Sequence, residues 1–127
     1  MNESEIGRNY KDGEIICREG DEARSMYVIR SGKVDIIKNS SAGELKLTTL
    51  GKGDIFGEMS FFDHMPRSAT ARAVGETVIL SIDKKGFFAK AANDPSIAFN
   101  ILEGMSRRIR SLNDELARYK KDSGLIY

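Results

Sequence analysis

The chain contains 127 residues, of which 40% are hydrophobic and 31% charged, so its composition predicts one folded domain rather than a disordered chain. Its 20 basic and 19 acidic side chains give a net charge of +1, which does not favour nucleic acid or a membrane surface as the main partner. The single cysteine, Cys17, and the single histidine, His64, exclude an internal disulfide framework and metal sites that need several Cys or His ligands.

The N-terminal segment predicts neither export nor membrane insertion. No apolar run in the chain reaches the roughly 18 residues that a membrane-spanning helix needs. The first residues are acidic and polar, unlike the basic and apolar start of an export signal. Together with the lone thiol, these features favour a cytoplasmic protein. Residues 1–9 form a polar segment that we expect to be a short helix or tail.

Residues 10–82 are typical of β-structure. Short runs rich in Val, Ile, Tyr and Thr alternate with glycine-containing turns, at a spacing typical of a sandwich, jelly roll or barrel. Ser31 and Gly32 separate two of these runs and predict a tight hairpin, and Gly75 separates another two. The predicted strands cover residues 14–18, 26–30, 33–38, 44–50, 68–74 and 77–82.

Helices are predicted over residues 83–121. Asp83 is a suitable cap for a helix that runs to about residue 92, and Asp94 and Pro95 suit the start of a second helix that runs to about residue 121. The second helix has apolar residues spaced alternately by three and four, which is typical of a coiled-coil seam. The alternative is that this stripe packs on the β-structure of the same chain. Its members are Leu102, Met105, Ile109, Leu112, Leu116 and Tyr119.

The segment from residue 56 to residue 70 combines three features that suit a sugar phosphate. Gly57 permits a close approach of a ligand to the backbone, and the residues after it predict a short helical turn. The first backbone amides of such a turn have no partner within it and favour an anion. Arg67 is able to fork onto the same anion, and the Glu58 carboxylate is suited to accept hydrogen bonds from a sugar hydroxyl.

Two motifs in this segment resemble the phosphate-binding cassette of cyclic nucleotide-binding domains. They are Phe56-Gly57-Glu58-Met59-Ser60 and Pro66-Arg67-Ser68-Ala69-Thr70. The family includes the catabolite activator protein and the regulatory subunits of cyclic-AMP-dependent protein kinase. The resemblance covers residues 10–118 and includes Glu19-Gly20-Asp21. It implies a mainly β protein with helices: a single domain over 1–127, built as an antiparallel β-roll of the double-stranded jelly-roll type with a short cassette helix and C-terminal helices.

The resemblance also implies roles for individual residues. The amides of Gly57, Glu58 and Met59 would hold the phosphate oxygens, Arg67 would pair with the phosphate, and Glu58 would accept from the ribose 2′-hydroxyl. We expect Met59 to contribute its amide while its side chain packs in the core. Ser68 would lie at the edge between phosphate and base. The full set of ligand-binding residues is then Gly57, Glu58, Met59, Ser60, Arg67, Ser68, Ala69 and Asn113.

The base preference is less clearly indicated. Aligning Pro95 with its counterpart places Leu112 where the catabolite activator has a base-contacting threonine, and leucine is unable to hydrogen-bond adenine. Asn113 and Arg110 are the remaining candidates on the long helix. Cyclic AMP is favoured as the ligand, and cyclic GMP stays open because a hydroxyl such as that of Ser68 contacts guanine in some family members.

We therefore predict a sensor domain that binds a cyclic nucleotide, catalyses no reaction and holds no metal or cofactor. Its long helix would cover the base and transmit binding, to its twin in a homodimer or to a separate effector protein, without direct contact with nucleic acid or a membrane. The alternatives are the sensor part of a transcription regulator whose DNA-binding domain is absent from this chain, a cupin-like enzyme, and a regulatory module that binds no ligand. The single His64 argues against the second, and Glu58 and Arg67 argue against the third. We expect His64 to be a solvent-facing loop residue and Cys17 a small core residue.

Overall fold

The computed structural model describes residues 5–122, which form two compact units that divide between Ala89 and Lys90. This part of the chain contains six strands and three helices. The strands are β1 (Glu5–Tyr10), β2 (Ile15–Cys17), β3 (Ser25–Ser40), β4 (Gly43–Leu50), β5 (Ile55–Phe56) and β6 (Thr70–Asp83), and the helices are α1 (Glu58–Asp63), α2 (Lys84–Asn93) and α3 (Ser96–Asp122).

The two long strands, β3 and β6, organise the sheet of the first unit. They run antiparallel to each other along most of their lengths. The second edge of β6 pairs with β1 and β2, and the second edge of β3 pairs with β4 and β5. All of these pairings are antiparallel. The predicted fold class, mainly antiparallel β-structure with helices, is therefore confirmed.

The predicted hairpin at Ser31 and Gly32 is wrong, because β3 continues through both residues. The register between β3 and β6 shifts on both sides of Ser31. Gly32 has a φ of 87°, and a Cβ at this position would lie 2.5 Å from the carbonyl oxygen of Glu76 on β6. Glycine here permits a close approach of two strands at an irregularity in their pairing, rather than a reversal of the chain. In the same way, the two strands predicted on either side of Gly75 are one strand, β6.

The predicted short helix or tail at the N-terminus is also wrong from Glu5 onward, while residues 1–4 lie outside the described residues. The segment Glu5–Tyr10 is strand β1, and it pairs with β6 at the edge of the sheet. Residues 7–9 are exposed. Because backbone hydrogen bonds hold an edge strand, its side chains need not follow an apolar pattern that would identify it.

The core of the first unit consists of apolar side chains from the strands and the segments between them. Val34 and Ile79 are almost completely inaccessible. Cys17 is buried in the same cluster, which confirms the prediction that it is a core residue. Burial raises the pKa of the Cys17 thiol, so this group stays protonated at neutral pH. The members of the cluster are Cys17, Ile29, Val34, Ile36, Phe56, Ala71 and Ile79.

The predicted helix starts at Asp83 and Asp94 are confirmed. Asp83 Oδ1 accepts a hydrogen bond from the Gly86 amide at 2.8 Å, and Asp94 Oδ1 accepts one from the Ser96 amide at 3.1 Å. Helix α3 continues to Asp122, the last residue that the structure describes, and so includes its predicted extent to about residue 121. Among the described residues, none of the helices combines the length and the apolar character needed to span a bilayer.

Candidate ligand-binding site

The predicted short turn after Gly57 is helix α1, and Gly57 is its N-terminal cap. Gly57 has φ 77° and ψ 5°, a left-handed conformation that glycine adopts at little cost. A Cβ at Gly57 would lie 2.5 Å from Nη1 of Arg67. The first amides of α1 have no acceptor within so short a helix, because their hydrogen-bond partners would precede it. Gly57 therefore starts the helix and leaves room for the arginine.

Arg67 is the buried cation of the site. Only 5% of the residue is exposed. Its Nη1 donates to the Gly57 carbonyl oxygen at 2.8 Å, and its Nη2 donates to the carbonyl oxygen of Ser25 at the start of β3. Its Nε is buried and has no hydrogen-bond partner among the described residues. Because the guanidinium has five N–H groups in a planar fork, it retains donors for an acidic ligand after these two bonds.

One aromatic ring lies against this guanidinium, and a second ring stacks on the first. The Arg67 Cζ atom is 5.1 Å from the centroid of the Tyr27 ring, a distance at which a cation and an aromatic face attract each other. Tyr27 stacks in turn on Phe56, with the ring centroids 5.1 Å apart. These two residues are partners in the pairing of β3 with β5. The sheet therefore positions the surface on which the arginine rests.

The Glu19-Gly20-Asp21 motif holds the backbone of Arg67. The Gly20 amide donates to the Arg67 carbonyl at 2.8 Å, and the Arg67 amide donates to the Asp21 carbonyl at 2.8 Å. The Asp21 carboxylate accepts from the Arg18 amide at 3.0 Å and so closes the turn. Both the backbone and the side chain of Arg67 are consequently fixed by segments far from it in sequence.

Three other predicted site residues lie on α1, and their side chains differ in burial. Glu58 and Ser60 are each 6% exposed, and the Ser60 hydroxyl donates to the Pro66 carbonyl at 3.2 Å. The side chain of Met59 is 53% exposed, so the expectation that it packs in the core is wrong. The buried residues of this short helix are instead Glu58, Ser60 and Phe61. His64, which follows α1, is exposed as predicted.

The remaining predicted site residues fall into two places. Ser68 is exposed directly after Arg67, and Ala69 is partly buried against the core cluster. The first unit therefore brings together Gly57, Glu58, Ser60 and Arg67 and places Ser68 beside them. Asn113 belongs to α3 in the second unit, where its side chain is exposed. Its contact with a base stays a prediction.

Sequence reasoning did not predict the contacts of Lys38 with Ser68 and Glu19. The Lys38 ammonium donates to the Ser68 carbonyl oxygen at 2.8 Å and lies 3.6 Å from Glu19 Oε2. A lysine near the end of a long strand has no motif to distinguish it from the other surface lysines. Only the pairing of β3 with its neighbours, which brings residue 38 next to residue 68, reveals the contact.

Aromatic side chains connect α1 with the start of α2 inside the first unit. Phe61 and Phe62 both meet Phe87 edge to face, with centroid distances of 6.1 and 5.4 Å. Phe87 contacts Phe88 in the same manner at 5.8 Å. Edge-to-face contacts of this kind are favourable for aromatic rings. A displacement of α1 would therefore change the ring contacts of Phe87 in the first turn of α2.

Comparison with protein families gives a match to the cyclic nucleotide-binding domain over residues 7–94. The chain belongs to this family. The match includes residues 56–70, and the family predicted from the motifs of that segment is confirmed.

Two curated relatives and one solved structure illustrate the similarity. The chain is 36% identical over 110 residues to the "Cyclic AMP receptor protein" of Thermus thermophilus, covering 86% of this chain and 51% of that protein. It is 37% identical over 83 residues to the "cAMP-dependent protein kinase type II regulatory subunit" of Drosophila melanogaster, covering 65% and 22%. The crystal structure of the Thermus thermophilus catabolite activator protein superposes with a TM-score of 0.82 at 35% identity, covering 89% and 54%.

These matches cover only part of each relative's length. The chain spans about half the length of the Thermus thermophilus relative and a smaller share of the kinase subunit. The superposition confirms the predicted β-roll fold. The similarity therefore concerns a cyclic nucleotide-binding domain, and the activities of the whole relatives are a separate matter.

Proposed function

We propose that this cyclic nucleotide-binding domain is a sensor whose ligand is cyclic AMP in preference to cyclic GMP. The observation that carries the proposal is the buried Arg67, whose Nε has no hydrogen-bond partner within residues 5–122 and which lies beside the N-terminus of α1. The printed names of two relatives refer to cyclic AMP, which supports the choice of nucleotide. The chain would catalyse no reaction and use no cofactor or metal.

The phosphate is the best-supported part of the ligand. A buried guanidinium is costly unless an anion or hydrogen-bond acceptors compensate it. The two carbonyl oxygens of Gly57 and Ser25 provide part of that compensation. A phosphate oxygen accepting from Arg67 Nε, together with the first amides of α1, would provide the rest. Because Gly57 has no side chain, nothing at that position obstructs a phosphate at the start of the helix.

The sugar and the base are recognised by other groups in this proposal. Glu58 is a buried carboxylate in the first turn of α1 and would accept from the ribose 2′-hydroxyl. Ser68 has an exposed side chain directly after Arg67 and would meet the phosphate and the edge of the base. Ala69 and Ser60 would contribute backbone and packing contacts, and Asn113 of α3 is the candidate for hydrogen bonds to the base.

Helix α3 would transmit the binding event. Its apolar stripe is exposed, with Ile109, Leu112 and Leu116 each about half accessible or more. This spacing suits pairing with the same helix of a second copy, so we propose a homodimer. Glu115 and Lys120 lie on the two sides of this stripe. In a parallel pair of helices, Glu115 of one copy would lie beside Lys120 of the other, so that unlike charges meet. Ligand binding would then shift the population of helix positions.

A second candidate is the sensor part of a larger regulator. It is favoured by the observation that the chain spans about half of a relative such as the Thermus thermophilus protein. In either case a cytoplasmic location is proposed, as for a receptor of an intracellular nucleotide, and the output would pass to a twin helix, a separate effector protein or a further domain. Binding experiments on the chain itself address the function that both candidates share.

Isothermal titration calorimetry with cyclic AMP and cyclic GMP tests the proposed function. The wild-type protein should bind cyclic AMP more tightly than cyclic GMP. Arg67→Ala should weaken binding by roughly tenfold to a hundredfold, because a hydrogen bond to a charged group contributes about 1.5–3 kcal/mol. Arg67→Lys should also weaken it, since lysine lacks the planar fork. Arg30→Ala, on the exposed face of β3, is the matched control.

The proposal fails if neither nucleotide produces heat or a thermal shift at millimolar concentration. Equal affinity for the wild type and both Arg67 variants would contradict the role of the arginine. Tighter binding of cyclic GMP would contradict the choice of nucleotide while leaving the sensor function in place.

A further inference from the structure

Lys38 lies outside the cassette in sequence but contacts it directly. It belongs to the last part of β3, where it pairs with Leu45 of β4. Its Nζ donates to the Ser68 carbonyl oxygen at 2.8 Å. Ser68 directly follows Arg67, so a side chain from the β3–β4 ribbon holds the backbone of a residue that the proposed function places against the ligand.

Glu19 determines where this ammonium lies. One of its carboxylate oxygens is 3.6 Å from Lys38 Nζ, and the other accepts from the Asn39 amide at 3.0 Å. The Glu19 amide itself donates to the Thr70 hydroxyl at 3.0 Å. Glu19 is therefore held through its backbone amide and through both carboxylate oxygens. The Lys38 ammonium lies between this carboxylate and the Ser68 carbonyl group.

The pair is only partly accessible to solvent. The side chain of Glu19 is 27% exposed and that of Lys38 is 49% exposed. Solvent and salt screen such a pair less than one that is fully exposed. Removing the lysine would leave the negative charge of Glu19 near a site proposed for a phosphate. The ammonium thus has a local electrostatic role as well as a geometric one.

We propose that Lys38, oriented by Glu19, is a positioning residue that directs the Ser68 hydroxyl toward the ligand. The proposal rests on the proposed function, because it assumes that Ser68 meets the nucleotide. Gly20 and Asp21 already fix the backbone of Arg67, and Lys38 supplies the next fixed point along the chain. Holding the Ser68 carbonyl restricts rotation of the peptide group that follows Ser68, and so restricts the backbone that carries the Ser68 side chain.

Calorimetry on a small set of variants tests this assignment. Lys38→Met should weaken binding of cyclic AMP by about tenfold, comparable with the loss of one hydrogen bond to a charged group. Lys38→Arg should recover most of the loss, because it keeps a cationic donor. Glu19→Gln should weaken binding less than Lys38→Met, since the ammonium remains. Lys46→Met is the matched control, because Lys46 is exposed on β4 of the same ribbon.

A double-mutant cycle separates positioning from general structural support. Ser68→Ala keeps the carbonyl that Lys38 holds but removes the hydroxyl that it is proposed to direct. Positioning predicts that Lys38→Met costs much less affinity in the Ser68→Ala background than in the wild type. Losses that simply add would assign Lys38 a structural role and overturn the proposal. If Lys38→Met lowers the melting temperature of the ligand-free protein strongly, the same cycle with Glu19→Gln replaces it.

Arg67→Ala in the same series distinguishes the two levels of the proposal. If the wild type binds neither nucleotide, both the proposed function and the positioning role fail. If the wild type binds, Arg67→Ala weakens binding, and Lys38→Met behaves like Lys46→Met, only the positioning role fails.

Discussion

Arg67 donates a 2.8 Å hydrogen bond from Nη1 to the carbonyl oxygen of Gly57, so the residue that caps helix α1 and the buried arginine position each other. The same glycine lacks the Cβ that would meet that nitrogen. The left-handed backbone and the missing side chain are therefore two requirements on one position, and each of them excludes other residues.

We predict that Gly57→Ala lowers both stability and affinity. A left-handed conformation costs a non-glycine residue about 1–2 kcal/mol, and the new Cβ would displace the guanidinium, so affinity for cyclic AMP should fall by about tenfold or more. Gly51→Ala is the control, because its φ lies outside the left-handed region and its Cβ would meet no atom within 4 Å. Thermal unfolding and calorimetry measure the two effects, and unchanged affinity in Gly57→Ala would contradict the close approach.

Gly32→Ala should be among the most destabilising substitutions in the first unit. Its φ is 87°, and its Cβ would lie 2.5 Å from a backbone oxygen of Glu76, which is unable to move like a flexible side chain. Backbone strain and overpacking together suggest a loss of roughly 2–5 kcal/mol in the free energy of unfolding. Chemical denaturation should detect it, with Gly7→Ala as a glycine that has open space around it. A loss below that of a surface substitution would refute the steric argument.

His64 should be a site where a substitution stabilises the protein. It has φ 61° and ψ 16°, a left-handed conformation that a residue with a side chain adopts at a cost, and its amide donates to the Ser60 carbonyl to end α1. His64→Gly should raise the free energy of unfolding by about 0.5–1 kcal/mol, since the relief of strain exceeds the added freedom of the unfolded chain. His64→Ala, which retains the strain, should not. A stabilisation of equal size in both variants would mean that the imidazole itself is responsible.

The apolar stripe of α3 predicts how the protein associates. Ile109→Lys places a charge in the centre of the stripe and should convert a dimer to a monomer in sedimentation velocity experiments. Ser111→Lys adds the same charge two residues away, outside the three-and-four spacing of the stripe, and should leave the dimer intact. A monomeric wild type at all accessible concentrations would contradict the proposed homodimer.

The parts of the structure that depend on local sequence signals were predictable. Asp83, Asp94 and Gly57 act within one or two turns of their own positions, and each begins a helix as expected. The family was recognisable from two local motifs, residues 56–60 and residues 66–70.

What the sequence concealed depends on contacts between distant segments. Gly32 looks like a hairpin turn until β6 is known to pass close to it. Strand β1 is held by backbone hydrogen bonds to β6, and its side chains show no pattern that predicts a strand. Lys38 reaches Ser68 only because β3 continues as far as residue 40. The exposure of Met59 follows from which face of a six-residue helix is buried, and so short a helix has too few residues to define a periodic face.

The surroundings of Arg67 also determine when, during folding, the protein becomes able to bind. Its guanidinium is held by Ser25, 42 residues earlier in the chain, and its backbone by the turn that contains Gly20. These contacts close long loops, and such contacts form late because the chain loses entropy before they compensate for it. A cyclic nucleotide would thus recognise only chains in which the strands between Ser25 and Arg67 have already paired. In refolding experiments the ligand should leave the initial folding rate unchanged. In unfolding experiments it should slow the reaction, because it binds only the folded chain.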